Sequence, residues 1–386
     1  MLFRSETAYG PFLGNPLFPS DGTLHNQKAL FQPRLGFAWD LFGNQKSVLR
    51  ASAGIFNGHQ NMLSQVGSIT TNGAQQFTIF SKTDFIRLGF GAAPAWPSQV
   101  TPSGSGLQPF SGVRVFDKHY ANPRIYTANV GFEQEIYPNW AIYTDFTWSK
   151  GVHMTSFYNI NGDGAFFLGA VNGGYYADDG TFVPAGTFSP ELGDVFVTNS
   201  RGKSLYRGFT LGMRKRFSQH FQMEWNYTLS EDLDNDSNER DPFNDFRIDP
   251  RRPERDYHFS SRDQRHKFNF YTYAELPANV NLNLRFQAHT PQPVTTSTCA
   301  ADPTFTCRRN STWKDTAYTS FDWRVMRPFK IGERMSLIPM VEMFNTFNSK
   351  NNVNPLTSPA LFSFDGFLRQ GVGDPRQVQL AVKFAF

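Results

Sequence analysis

The sequence has no long apolar run, and this absence excludes helical membrane spans. No stretch approaches the roughly 18 consecutive apolar residues that a transmembrane helix needs. Aliphatic runs of the kind that fill a soluble core are also scarce, and the mean hydropathy is −0.45. The N-terminus, MLFRSE, has no basic segment followed by an apolar one, so no signal peptide is visible. An exported protein with this N-terminus would be a mature form or a shortened chain.

Motifs of enzyme chemistry are missing as well. The sequence has no Gly-rich phosphate loop, no G-x-S-x-G and no H-E-x-x-H, and its eight histidines are scattered. We therefore expect no enzyme and no cofactor. Cysteine is limited to Cys299 and Cys307, with no histidine nearby at zinc-ligand spacing. This local pair is typical of a loop disulfide in an oxidising compartment, and two free thiols are the alternative.

What the sequence does have is aromatic residues placed singly among polar ones. Phenylalanine alone accounts for 40 of the 386 residues, and aromatics make up 16% of the chain. They are interleaved with Asn, Gln, Thr, Ser and charged residues. A β-sheet with one apolar and one polar face produces this pattern.

The last ten residues show the alternation most clearly. Val378, Leu380, Val382, Phe384 and Phe386 share one face, and polar or small residues share the other. The same period of two is found at 126–133, 140–149, 221–230 and 280–289, and less regularly near 33–42, 47–57, 204–217, 265–276, 317–327 and 334–345. The total is about eleven strands, most of them close to the nine to eleven residues of a membrane-crossing strand.

The connections between these strands alternate strictly between short and long. Short turns lie at 42–46, 137–139, 218–220, 277–279 and 328–333, and long polar connections lie near 58–123, 150–203, 231–264, 289–316 and 346–374. Outer-membrane barrels have short periplasmic turns and longer extracellular loops. The sequence therefore predicts an all-β fold, an antiparallel up-and-down transmembrane β-barrel in the outer membrane of a Gram-negative bacterium.

The strand number adds a constraint on the architecture. Bacterial single-chain barrels close with an even number of strands, and an open edge in lipid leaves backbone groups unpaired. Barrels of 22 strands enclose a plugged lumen, and eleven is half of that number. We expect residues 1–386 to form the C-terminal half of such a barrel, with signal peptide and plug absent.

Charged residues on the polar faces are the candidates for the lumen wall. Inside a barrel they would be hydrated, which removes the desolvation cost that lipid imposes. Their expected role is lumen lining or contact with a plug. These candidates are Glu224, Arg285, Asp322, Arg324, Glu342 and Lys383.

Two charged loops are candidate binding sites. Asp232, Asp234 and Asp236 place oxygen ligands at alternate positions, as at the start of a calcium loop, but Ser237 replaces the expected glycine and Phe243 the expected glutamate. A solvated extracellular loop is the preferred interpretation. The segment 247–265 is rich in arginine and also in acidic residues, which favours an ion-pair network or contact with lipopolysaccharide phosphates over nucleic acid.

Several segments together resemble TonB-dependent receptors of the Oar-like type, which carry an N-terminal carboxypeptidase-regulatory-like domain. The similarity covers nearly the whole chain. The matching segments are PRLGFAWD at 33–40, VLRASAGIF at 48–56, SLYRGF at 204–209, RKRF at 214–217, YTLS at 227–230, DQRHKF at 263–268, ELP at 275–277, FNTFN at 344–348 and DPRQVQ at 374–379.

This resemblance implies uptake or export of a substrate through a plugged barrel, driven by the inner-membrane TonB complex. The regulatory-like domain, TonB box and plug are not found in the sequence, so we expect the plug and the TonB complex to act through parts outside it. Val382, Phe384 and Phe386 also resemble the C-terminal signal that the barrel-assembly machinery recognises. The alternatives are a non-transporting outer-membrane adhesin or structural protein, and a secreted β-propeller or sandwich that binds carbohydrate.

Overall fold

Eleven long strands make up most of the structure. The computed structural model describes residues 9–24, 27–28, 30–59, 62–70, 112–161, 175–176, 180–184, 187–188, 194–236, 253–295, 306–313, 317–351 and 375–386. The long strands are β1 Arg34–Asp40, β2 Ser47–Asn57, β3 Arg124–Tyr137, β4 Trp140–Asn159, β5 Asp194–Ser218, β6 Phe221–Asp234, β7 His266–Leu276, β8 Val280–His289, β9 Tyr318–Met326, β10 Met335–Phe344 and β11 Gln377–Ala385.

The remaining elements are short. The short strands are Gly112–Phe116, Tyr175–Tyr176, Phe182–Val183, His258–Phe259, Pro293–Val294, Thr312–Trp313 and Phe329–Ile331. One α-helix, α1, covers Met62–Thr70, and 3-10 turns cover Gly10–Phe12, Pro253–Asp256 and Pro277–Asn279. Within the described ranges, no helix has both the length and the apolar character to cross a membrane.

The long strands form one antiparallel sheet in which the order in space follows the order in sequence. Each strand from β2 to β10 pairs with its two neighbours along the chain, as an up-and-down meander requires. The predicted all-β, antiparallel architecture is confirmed. β1 and β11 stand at the two ends of this order, and the described residues contain no pairing between them, so the sheet is open within these ranges.

Two connections differ from the sequence prediction. Residues 328–333 were expected to form a turn, but Phe329–Ile331 pairs with the first residues of β10, beginning with Phe329 opposite Leu337. Pro328 follows the end of β9, and proline cannot donate a backbone hydrogen bond, so the pairing with β10 is interrupted there and resumes at Phe329. The turn itself is therefore shorter than predicted.

The larger correction concerns the long connection predicted at 150–203. β4 has 20 residues and β5 has 25, so both strands run well into this segment. The strand Gly112–Phe116 pairs in parallel with the start of β5 and extends the sheet there. Residues 150–203 are therefore partly strand and not one long loop. Part of this strand structure pairs with a segment that is distant in the sequence.

The buried apolar cluster of the described residues lies at this extended part of the sheet. The cluster brings together the segment before β1, the strand Gly112–Phe116, residues that follow β4 in the connection to β5, and the start of β5. Its members are Tyr9, Phe18, Val113, Val115, Ile160, Val183, Phe188, Val195 and Val197. Since burying each of these side chains contributes roughly 1.5–3 kcal/mol, the cluster explains why the strands continue beyond the predicted ends.

The long strands themselves have one exposed apolar face. In register, Phe37 lies opposite Ala51, Ala51 opposite Val130, and Val130 opposite Phe146. On β11, Leu380 is 76% exposed and Val382 65% exposed. A soluble protein covers such a surface, whereas a membrane barrel presents it to lipid.

Candidate functional site

The pairing register places all six predicted lumen residues on one face of the sheet. Residues directly opposite each other in an antiparallel pair share a face. Glu224 lies opposite Tyr271, Tyr271 opposite Arg285, and Arg285 opposite Asp322. Arg324 comes two residues after Asp322 on β9, so it shares the face of Asp322. Arg324 lies opposite Glu342 on β10.

Lys383 belongs to the same face at the end of the sheet. It lies opposite Ile338, which comes four residues before Glu342 and so shares its face on β10. Position on this polar face therefore follows from the register for each candidate. That the face borders a barrel lumen stays a prediction.

Glu224 is the centre of a hydrogen-bonded cluster on this face. Its carboxylate accepts hydrogen bonds from the Arg214 Nε at 2.9 Å and from the Tyr143 hydroxyl at 2.8 Å. The Tyr271 hydroxyl donates a third bond, at 2.5 Å. The Arg214 guanidinium also lies 5.4 Å from the Tyr143 ring centre. Four strands, β4 to β7, are thus joined through one carboxylate.

A second cluster lines a cavity on the same face, between β7 and β10. The Arg324 guanidinium forms an ion pair with the nearly buried Glu342 carboxylate. Asp322 accepts hydrogen bonds from the Ser320 hydroxyl and the Asn345 backbone N–H, both at 2.8 Å. The cavity has a volume of about 290 Å³, and its lining includes Tyr271, Tyr273, Arg285, Asp322, Arg324 and Glu342.

The charges in this cavity balance, since two arginines face two carboxylates. Such a surface is suited to a partner with both donors and acceptors, and it offers little net attraction to a simple anion or cation. Sequence alternation identified the four charged residues but not their pairing. The pairing depends on register, which hairpin geometry fixes.

The calcium candidates lie where β6 ends and the following loop begins. Asp234 is ion-paired with Arg309, whose guanidinium also donates to the backbone carbonyl oxygen of Asp234 at 2.8 Å. Among the residues that the structure describes, no group of three or more His, Cys, Asp or Glu is placed to hold a metal. The sequence favours a solvated loop over calcium binding at Asp232, Asp234 and Asp236, and the weaker calcium interpretation has no ligand set in those ranges.

The remaining predicted positions lie at the edge strand and in one loop. Val382 and Phe384 are exposed on the apolar face of β11, and the Phe384 and Phe386 ring centres lie 6.0 Å apart. Cys307 is disulfide-bonded. The only other cysteine in the sequence, Cys299, lies outside the described residues.

One buried lysine was missed by sequence reasoning. Lys215 lies on the apolar face, opposite Trp140 and Met223, and is 1% exposed. Its ammonium donates to the carbonyl oxygens of Ser218 at 2.6 Å and Phe221 at 2.9 Å. A lysine at an apolar position three residues before a tight turn is the sequence signal that could have indicated this role.

Comparisons with known proteins agree with this geometry. Residues 7–285 match the family described as outer membrane beta barrel domain. No curated protein sequence matches the chain. Neither the family match nor the single continuous sheet supports the adhesin or the secreted propeller or sandwich considered above.

Among solved structures, the chain is similar to the outer membrane transporter YddB from Escherichia coli, with a TM-score of 0.57 and 9% identity. The match covers 92% of this chain and 40% of that one. It is also similar to a mutant of the ferric enterobactin receptor PfeA from Pseudomonas aeruginosa, with a TM-score of 0.51, 9% identity, and coverages of 92% and 40%. At this identity the likeness shows the fold, and the chain spans two fifths of the length of these proteins.

Proposed function

Because this chain belongs to the outer membrane beta-barrel domain family, we propose that it forms part of the barrel wall of a TonB-dependent receptor of the Oar-like type. It is a protein of the outer membrane of Gram-negative bacteria, and its sheet resembles those of outer-membrane transporters and receptors. The substrate and the direction of transport belong to the complete receptor. No cofactor is part of the proposal.

The observation that carries this proposal is the separation of the two faces. The pairing register places Glu224, Arg285 and Glu342 on one face, and the other face exposes Leu380 and Val382. A wall between water and lipid needs this separation, because uncompensated charge on the lipid side costs roughly 2–4 kcal/mol at the midplane. In our proposal the polar face lines the lumen and the apolar face contacts outer-membrane lipid.

The short turns give the proposed orientation. With the turns at 42–46, 137–139 and 218–220 in the periplasm, the long connections and the buried apolar cluster lie outside the cell. β11 then runs inward and ends at the periplasmic rim. At that rim the barrel-assembly machinery would recognise Val382, Phe384 and Phe386.

Partners of the complete receptor follow from the polar face. The charge-balanced cavity around Arg324 and Glu342 fits contact with a polar plug surface inside the lumen. Eleven long strands and a coverage of 40% of the similar transporters are compatible with half of a 22-stranded barrel that also holds a plug. The plug and the TonB complex would act through chain regions outside residues 1–386.

The native gene tests this proposal directly. Its reading frame upstream of the Met1 codon should encode a plug domain and a TonB box, preceded by a signal peptide and a regulatory-like domain. A complete gene whose product carries only a signal peptide before this segment would contradict the receptor assignment. The complete receptor should also show detergent-dependent, heat-modifiable migration in gels, as a folded outer-membrane barrel does.

A further inference from the structure

A basic groove lies on the apolar side of the sheet, near the end away from the short turns. It has a volume of about 720 Å³ and is formed by the upper parts of β3, β4 and β5. Lys150, His153 and Lys203 are exposed along it, and Tyr126 and Trp148 are half-buried. Its lining residues are Tyr126, Trp148, Lys150, Val152, His153, Ser200, Gly202 and Lys203.

The groove lies next to the exposed apolar face, on the side away from the short turns. Phe146, Trp148 and Lys150 follow one another at every second position of β4, so they share a face, and Lys150 lies opposite Tyr126. Phe146 is opposite Phe209 and both rings are exposed. Along this face the side chains therefore change from apolar, through aromatic, to cationic. This is the order expected from the lipid interior to the water interface.

The height of the groove agrees with that order. Lys150 comes ten residues after Trp140, the first residue of β4 after the short turn. At about 3.3 Å per residue and a tilt near 40°, ten residues rise about 25 Å, which is the height of the apolar band of an outer-membrane barrel. Lys150 is thus placed at the outer interface, where lipid headgroups begin.

Local irregularity of the sheet opens the groove. The pairing of β4 with β5 shifts between Gly151 and Met154 and again before Ser156, and His153 has a positive φ of 56°. A Cβ at Gly202 would lie 2.5 Å from the Met154 carbonyl oxygen, so only glycine allows the strands this approach. Bulges redirect side chains at sheet rims, and this one turns His153 out of the regular ladder.

The described carboxylates do not neutralise the cationic groups of the groove. In the part of the chain that the structure describes, Lys150, His153 and Lys203 make no ion pair. The Glu231 carboxylate, on the neighbouring β6, is held by Arg265 at 3.5 Å. Two ammonium groups are therefore exposed beside aromatic rings, with no carboxylate partner among the described residues.

We propose that this groove binds the phosphate groups of a phosphorylated glycolipid of the outer leaflet, the lipid A part of lipopolysaccharide. Lys150 and Lys203 would hold phosphate oxygens, His153 would add a donor, and Trp148 and Tyr126 would pack against the sugar and the first acyl carbons. Charge-assisted bonds to phosphate favour such cationic donors. The inference rests on the proposed orientation, with the long connections outside.

The test uses the complete receptor that contains this chain, purified in detergent micelles and titrated with bisphosphorylated lipid A, with bound lipid counted by native mass spectrometry. The double variant Lys150→Gln/Lys203→Gln should bind lipid A about tenfold more weakly, since it loses two charge-assisted contacts. Lys267→Gln is the matched control. Lys267 is also near the outer end of its strand, but it lies opposite Thr228 on the polar face, and its loss should leave binding unchanged.

Other ligands separate the possible sources of phosphate. Dephosphorylated lipid A and phosphatidylglycerol should bind at least about tenfold more weakly, and millimolar inorganic phosphate should not displace lipid A. Equal binding of phosphatidylglycerol, full displacement by phosphate, or equal losses in the double variant and the control would each overturn the proposal. If the double variant lacks heat-modifiable mobility, Lys203→Gln alone takes its place, with a smaller loss expected and unchanged affinity overturning the assignment.

Failure here is distinguishable from failure of the proposed receptor. A barrel with the proposed faces but no lipid A site would still tolerate charge on its polar face and reject charge on its apolar face. Only the affinity for lipid A would be unaffected by the lysine substitutions.

Discussion

The Glu224 carboxylate accepts a hydrogen bond from the Arg214 guanidinium at 2.9 Å, across the β5–β6 hairpin. The hydroxyls of Tyr143 and Tyr271 complete the contacts of this carboxylate from β4 and β7. The cluster gives one polar face a fixed arrangement over four strands. Its energy should therefore be measurable by removing the single acceptor that its members share.

Glu224→Ala should lower the free energy of unfolding by about 1–3 kcal/mol, because three donors lose their acceptor. The loss of stability should be about 1 kcal/mol if water molecules solvate the half-exposed Arg214 guanidinium after the carboxylate is removed. Urea unfolding in detergent measures it. Glu275→Ala is the control, because Glu275 is exposed and its contact with His220 is long, at 3.6 Å, so a change within about 0.5 kcal/mol is expected. Equal changes would contradict the cluster's role.

The sequence predicts the faces of this sheet well and its contacts poorly. Alternation alone places Glu224 and Glu342 on the polar face, because the side-chain period of a strand is two. The partnership of Glu224 with Tyr143 is not predictable in this way. It depends on the register of two hairpins, and the β5–β6 register itself shifts near the Ser218–Phe221 turn.

The long extensions of β4 and β5 were missed for a different reason. Their stability comes from the buried cluster that Phe18, Val113 and Val195 share, and these residues are far apart in the sequence. Local patterns near 150–203 contain polar residues and glycines that are typical of a loop. Only the packing of distant segments favours strands there, and no periodicity within one segment reports it.

Lys215→Met should destabilise the β5–β6 hairpin by about 1–3 kcal/mol. The substitution leaves the carbonyl oxygens of Ser218 and Phe221 without their buried donor, and it removes the ammonium that lies 3.8 Å from the Phe221 ring centre. Thermal unfolding in detergent gives the loss. Arg216→Met, at the exposed neighbouring position, should change stability by no more than about 0.5 kcal/mol. A Lys215 variant as stable as the parent would refute the turn contact.

Arg309→Met should open the contact between the segment that follows β6 and the segment that follows β8. Arg309 is 5% exposed and forms an ion pair with Asp234, so its removal breaks a buried ion pair, at a cost of up to about 3–5 kcal/mol. Hydrogen exchange should accelerate at Ser260, whose backbone N–H donates to the Asp232 carbonyl oxygen at 2.9 Å, and remain slow in β8. Arg308→Met, at an exposed site, should leave exchange at Ser260 unchanged. Unaltered protection in the Arg309 variant would show that the pair does not hold these segments together.

The stability of the same region should depend on pH because of the Asp263 carboxyl group. Burial raises the pKa of this carboxyl above its ordinary value of 3.8, against the opposing effects of the Asp232 backbone N–H and of Arg265. A raised pKa means that the fold favours the protonated form. The contribution of Asp263 to stability therefore declines as pH rises from about 3.8 through the folded-state pKa.

Asp263→Asn tests this sign. The amide oxygen can still accept the 2.8 Å hydrogen bond from the Asp232 N–H but carries no charge at any pH. The variant should match the parent near pH 4 and be at least as stable at pH 7, by hydrogen exchange at Asp232. A variant clearly less stable than the parent at pH 7 would show that ionised Asp263 supports the fold.

The most direct test of the whole account compares arginine at two adjacent positions of β11. Val382 is on the apolar face opposite Pro339, and Ala381 is on the polar face opposite Met340. Folding free energies of the complete receptor barrel into lipid vesicles should show a loss of about 2–4 kcal/mol for Val382→Arg if the residue is near the bilayer midplane, and little loss for Ala381→Arg. Equal losses for the two variants would contradict the assignment of one face to lipid and the other to the lumen.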